Sequence, residues 1–245
     1  MIIFGMQLTN LMIPVFRKIR KKMADENRPI KYMRYAIGEI ALVVIGILIA
    51  LQINNWNENR KADKFEQEIL YLIDQNLKSD SISLTMELFK AKQAIALTDR
   101  LLEQVSQKNY GDSINNWMGK IISFERFKSQ SSAFEVLKAK GIETISNKEL
   151  QLALISYYDE SLFKLYEGLE DVEDFFKRDW VPVIKEDFSD FNFMDINTPN
   201  NSKEFFEKHS SVVLFKMYKD NRQGSVGYLQ NALKANTAIR SLIKK

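Results

Sequence analysis

Hydrophobic positions are spread unevenly along the chain. Residues 36–53, AIGEIALVVIGILIALQI, form one nearly continuous apolar run, and its centre, residues 40–51, has no polar side chain. As a helix rising about 1.5 Å per residue, the run is roughly 27 Å long, close to a hydrocarbon core of about 30 Å. Tyr32 and Tyr35 precede it and Trp56 follows, where interfacial aromatics anchor a span. The pattern predicts a transmembrane helix over 36–56; the alternative is a helix buried in a protein core.

Beyond Trp56 the pattern takes the helical period almost throughout. Phe65, Ile69, Leu72, Ile73 and Leu77 recur at that spacing directly after the run, so the apolar helix is expected to continue into the first soluble one. Leu84, Leu88, Ala91, Ile95, Leu102 and Val105 make a second stripe, and residues 109–113 (NYGDS) read as a turn. A weaker helix is expected over 114–128 around Trp117 and Ile121. Ser132-x-x-Glu135 and Ser146-x-x-Glu149 read as capping boxes, with Gly141 ending the first helix in a left-handed turn. The second box opens a stripe of Leu154, Tyr158, Leu162, Leu165, Leu169, Val172 and Phe176, which Trp180-Val181-Pro182 is expected to end or kink. After a loop over 186–201, Asn201-x-x-Glu204 starts a helix around Phe205 and Phe206. A last long helix carries Tyr228, Ala232, Ala235, Ile239 and Leu242. No run alternates with period two for long enough to be a strand. The fold class is therefore all-α: residues 57–245 as an antiparallel helical bundle behind one N-terminal transmembrane helix.

Charge changes the picture by giving the apolar run a direction. The net charge is only +3, but residues 1–35 hold eight Lys/Arg against Asp25 and Glu26, which leaves 27 basic and 30 acidic residues in the rest. After the run, only Arg60, Lys61 and Lys64 lie close by. Positive flanks stay on the cytoplasmic side, so residues 1–35 are assigned to the cytoplasm and 57–245 to the periplasm of a bacterial inner membrane. Residues 12–23 place Met12, Phe16, Ile19 and Met23 on one face of a short basic helix, suited to an anionic lipid surface. No aromatic platform accompanies those charges, so nucleic acid is not an expected partner.

The stretches FRKIRKK and YAIGEIALVVIGILIALQINNWNE (residues 35–58) resemble the N-terminal signature of an uncharacterised family of single-pass membrane proteins from the Bacteroidota. A second likeness lies in SAFEVLKAKGIETISNKELQLALISYY, residues 132–158. The resemblance implies one membrane crossing and a helical domain of unknown function, with no catalytic residue to carry over. Members begin just before the FRKIR segment, so residues 1–11 are either an upstream extension or an apolar lead-in on the membrane.

Candidate chemistry adds little. The chain has no cysteine and one histidine, and it contains no phosphate-binding loop, GxGxxG, GxSxG or HExxH. No enzyme activity, metal or cofactor is expected. His209 reads as a surface or capping residue, and the Gly224/Gly227 pair as close packing or a kink. Two features stand out. Glu39 falls on one helical stripe with Leu42, Gly46, Ala50 and Ile53, and Gly46 with Ala50 forms a small-xxx-small pair that suits a helix–helix contact. The loop bearing Asp187, Phe188, Asp190, Phe191, Phe193 and Asp195 reads as a plug for the bundle end, as a partner-binding edge, or, with Asn192 and Asn197, as a calcium loop lacking EF-hand order. The expected function is an anchored interaction or scaffold protein, its partners the bilayer and either an envelope protein or a second copy. The alternative is a ligand-sensing bundle that signals through a membrane partner.

Overall fold

The computed structural model describes residues 29–244. The basic helix expected over 12–23 and the apolar residues 1–11 lie outside them. The chain divides into two units, residues 1–63 and 64–245, and helix α1 (Pro29–Ser106) carries the backbone from one into the other.

In the first unit, α1 holds the apolar run. An 18-residue window there has mean hydropathy 2.5 with none of it buried, and among the described residues α1 is the one helix long and apolar enough to cross a membrane. Its large side chains from Ile37 to Ile53 are all exposed. A core helix would bury them, so the buried-core alternative finds no support in the fold.

The second unit is mostly helical. Its half of α1 leads to α2 (Asp112–Ile122), an extended strap over 123–131, α3 (Ser132–Lys140) and a 3-10 turn, Ile142–Thr144. Residues 148–187 are then helical without a break: α4 (Lys148–Ile155), α5 (Leu162–Phe175) and α6 (Val181–Asp187), joined by π-helical turns at Ser156–Ser161 and Phe176–Trp180. Strands β1 (Phe188–Phe191) and β2 (Asn197–Pro199), α7 (Ser202–Glu207) and α8 (His209–Ile243) complete the unit. Helix α8 runs opposite to α1, since Arg240 meets Asp74 while Lys219 meets Asp99. It also runs opposite to α5, as Phe175 lies against Tyr218 and Gly168 against Tyr228. One apolar cluster gathers Ile73, Leu77, Leu84, Leu154, Leu165 and Leu229; the other is aromatic, around Phe175, Trp180, Phe205, Phe215 and Tyr218.

Several expectations need correction. Residues 186–201 are not all loop: β1 and β2 pair antiparallel, with a bulge between Phe188 and Asp190. Strands of four and three residues are too short to show a period of two. The helix expected over 114–128 stops at Ile122, after which the strap is held by side chains of other elements. Pro182 does not stop its helix, which continues to Asp187. It sits in the first turn of α6 behind a π turn, where a missing N–H is tolerated. The π turns also shift the buried face, so Tyr157 and Phe175 are buried in place of Tyr158 and Phe176. Neither Ser132 nor Ser146 caps a helix. Ser132 is already helical, and the second cap is Asn147, which accepts the Leu150 N–H at 3.1 Å. Asn201 does cap as expected, accepting from Glu204 N at 3.2 Å. Gly141 does end its helix, at a φ of +111°. Gly224 and Gly227 pack against nothing, since a methyl at either would meet no atom within 4 Å.

Candidate functional site

The strap has no ladder of its own, and several of its amides find side-chain acceptors instead. Helix α1 supplies them in a row. Glu87 Oε2 accepts from Arg126 N at 3.3 Å, Asp80 Oδ1 from Gln130 N at 2.9 Å, and Asn76 Oδ1 from Ala133 N at 3.3 Å. One step further on, Glu66 Oε1 accepts from Ser146 N at 2.8 Å and from Ser146 Oγ at 2.9 Å. Tyr166 on α5 takes the Ser129 N–H at 3.1 Å from the other side.

Asp80 is the centre of this row. It is 2% exposed and also accepts from Ser129 Oγ and, at 3.4 Å, from the Tyr157 hydroxyl. Asn236 of α8 donates to that hydroxyl at 3.4 Å and to Leu77 O at 2.9 Å. Burial pushes the Asp80 carboxyl above its ordinary 3.8, against the opposing pull of the Ser129, Gln130 and Tyr157 hydrogen bonds. Burial likewise raises the Tyr157 and Tyr158 hydroxyls beyond reach of physiological pH.

A second buried polar group closes the end of α2. Arg222 of α8 is 1% exposed, and its Nε lies 3.2 Å from both carboxylate oxygens of Glu125. Its Nη1 donates to Ile121 O at 2.7 Å and its Nη2 to Ser123 O, while the Tyr218 hydroxyl donates to Ile122 O at 3.1 Å and Ser123 O at 2.7 Å. A cation and a hydroxyl thus satisfy carbonyls that the helix end leaves open. Burial raises the Glu125 carboxyl even with Arg222 beside it.

These groups are already engaged by backbone and by one another, and what they do chemically is hold the strap and α2 in place. Sequence reading missed them. The signal was Asp80, an acid at a core position between Leu77 and Leu84. Beside the strap lies a groove of about 500 Å³ lined in part by Arg126, Lys128, Tyr166, Glu170, Glu173 and Lys177. Its charges neutralise one another, with Arg126 and Lys177 both 3.1 Å from Glu173 Oε1.

The acids of the 187–195 segment do not converge. Asp187 pairs with Lys208 at 2.7 Å, Asp190 accepts from Asn192 Nδ2 at 3.3 Å, and the backbone of Asp195 lies against Gly119. Among the described residues no three His, Asp or Glu side chains are placed to share a metal ion. The phenylalanines turn inward instead. Phe188 packs on Phe205, Phe191 on Phe176, and Phe193 on Phe124 and Phe176, although Phe193 stays 44% exposed. In the other unit, Gly46 and Ala50 are exposed and Glu39 is half-buried, all three on α1. His209 is exposed as the first residue of α8.

Fold and site together define a mostly helical protein with one exposed apolar helix long enough to cross a membrane and a polar interior bound to its own backbone. Residues 39–218 match the family of unknown function DUF6090, and the chain belongs to that family. No curated protein and no solved structure matches it.

Proposed function

We propose that the protein is a single-pass anchor of the bacterial inner membrane whose helical domain faces the periplasm and serves as an interaction or scaffold module rather than an enzyme. The carrying observation is the exposed apolar stretch of α1, whose side chains have lipid as their natural cover. The eight basic residues before it favour a cytoplasmic N-terminus. At the other flank, the Arg60 guanidinium lies 5.6 Å from the centre of the Trp56 ring, an aromatic–cation pair suited to the interface. We read residues 35–58 as the anchor signature of a Bacteroidota family. The engagement of Asp80, Glu125 and Arg222 by backbone groups supports a structural rather than a catalytic role for the buried charges. Phe193, Met194 and Ile196, exposed together between β1 and β2, are a candidate edge for an envelope partner.

The ligand-sensing alternative draws on one observation, the unbroken passage of α1 from the apolar run into the helical domain. Alkaline phosphatase fused after Lys245 should be active in cells. An inactive fusion, with a cytoplasm-dependent reporter working at the same point, reverses the topology and removes both periplasmic readings.

A further inference from the structure

Helix α1 is apolar on two opposite faces in the second unit, and its fold uses one of them. Leu77, Leu84, Ala91 and Thr98, seven residues apart, are all buried in the bundle. Diametrically opposite runs a second line with the alternating three–four spacing of a heptad seam: Leu72, Gln75, Ser79, Ile82, Met86, Phe89, Gln93 and Ala96. None of these is charged. The large ones stand in solvent, with Leu72 50%, Ile82 61%, Met86 54% and Phe89 63% exposed. A surface helix normally turns charges outward at such positions. The seam lasts 25 residues, about three and a half heptads and roughly 37 Å, with apolar side chains at five of its eight positions and an unbroken apolar centre at Ile82, Met86 and Phe89.

We propose that this seam is where a second copy of the chain docks, α1 against α1, parallel and in register. Its flanking charges choose that arrangement. In a parallel pair, Tyr71 faces Asn76 of the second copy, Lys78 faces Ser83, Thr85 faces Lys90 and Lys92 faces Leu97, so no two like charges meet. In the antiparallel pair centred on the same seam, Lys78 of each copy meets Lys92 of the other, which makes two like-charge pairs. Two chains anchored in one membrane also start side by side and in the same direction, the one point at which this inference rests on the membrane reading. Gln75, Ser79 and Gln93 interrupt the apolar positions and would fix the register at some cost in stability.

The absence of cysteine makes the test direct. Single variants Ile82→Cys, Met86→Cys, Phe89→Cys and, as a control, the equally exposed Leu152→Cys are expressed as the full chain and oxidised in isolated membranes. A parallel in-register pair gives disulfide-linked dimer at the three seam positions and not at Leu152. Adding Phe89→Glu to Ile82→Cys removes that dimer while the helical circular dichroism and melting temperature stay near those of the parent, because the position is exposed. Three results overturn the proposal: no dimer at any seam position, equal dimer at Leu152→Cys, or seam crosslinks only to a protein of different mass. A mixed crosslink between Ile82→Cys and Met86→Cys chains without self-crosslinks overturns the parallel register. The alkaline phosphatase fusion is read separately, so a wrong topology and a wrong interface are told apart.

Discussion

Asp80 carries a charge where the fold would more easily hold a neutral group. Its folded carboxyl binds a proton at higher pH than the 3.8 of the unfolded chain, so from this group the stability rises as pH falls through the folded value and levels off below 3.8. That is the reverse of ordinary acid denaturation, and the raised carboxyl of Glu125 adds to it with the same sign. Asp80→Asn keeps the shape and an acceptor for Gln130 N, and it removes the charge. The melting temperature of the variant relative to the parent should increase as pH is raised toward neutrality; a difference that does not change with pH would show that burial does not bear on this carboxyl. Arg222 differs in that its charge is matched at once by Glu125 and by the carbonyls ending α2, so truncating it strands partners on two elements.

Elements are positioned by close approaches as much as by apolar stripes. At Gly119 of α2 a methyl would overlap the backbone of Asp195 at the turn after β1. Gly119→Ala should loosen the β1–β2 hairpin and lower stability by about 1–3 kcal/mol, measured by urea denaturation of the full chain in detergent. An unchanged midpoint would mean the hairpin shifts freely. The long helices were legible in the chain because each spans many turns of a 3.6-residue period, and the passage of the apolar run into the next helix was legible in Phe65, Ile69 and Ile73 for the same reason. The hairpin, the strap and the π turns were not. They depend on which distant side chain supplies a partner, as Glu87 does for Arg126 and Tyr218 for Ser123, and no local period encodes that. The caps show the same limit on a smaller scale. Ser146 and Asn147 are both good capping residues side by side, and the choice of Asn147 leaves Ser146 free to donate to Glu66.

At the scale of the whole molecule, the exposed apolar stretch of α1 is what has no cover within the chain. A methyl at Gly46 would meet no atom of the chain within 4 Å, and Ala50 is exposed one turn further on, so this face of α1 is open to a neighbour. Gly46→Leu should weaken association in a membrane two-hybrid assay by blocking close approach, while Glu39→Gln should matter only where the carboxylate meets a cation of the partner. Association unaltered by both changes would show that this face of α1 meets no protein neighbour.

The row of acceptors along α1 also orders the events of folding. Arg126 meets Glu87 across 39 residues of chain, Gln130 meets Asp80 across 50, Ala133 meets Asn76 across 57, and Ser146 meets Glu66 across 80. Each closure shortens the free loop that the next must close, so the segment should zip along α1 from the shortest loop to the longest. Opening should run the other way. Native-state hydrogen exchange would then find the Arg126 and Gln130 amides, which belong to no helix or strand, among the slow ones, with Ser146 released first. Ser146 exchanging more slowly than Arg126 would break the order. In the expected order the segment from Arg126 to Ser146 is a zipper fastened at its short-loop end, and it lets go of residue 146 before residue 126.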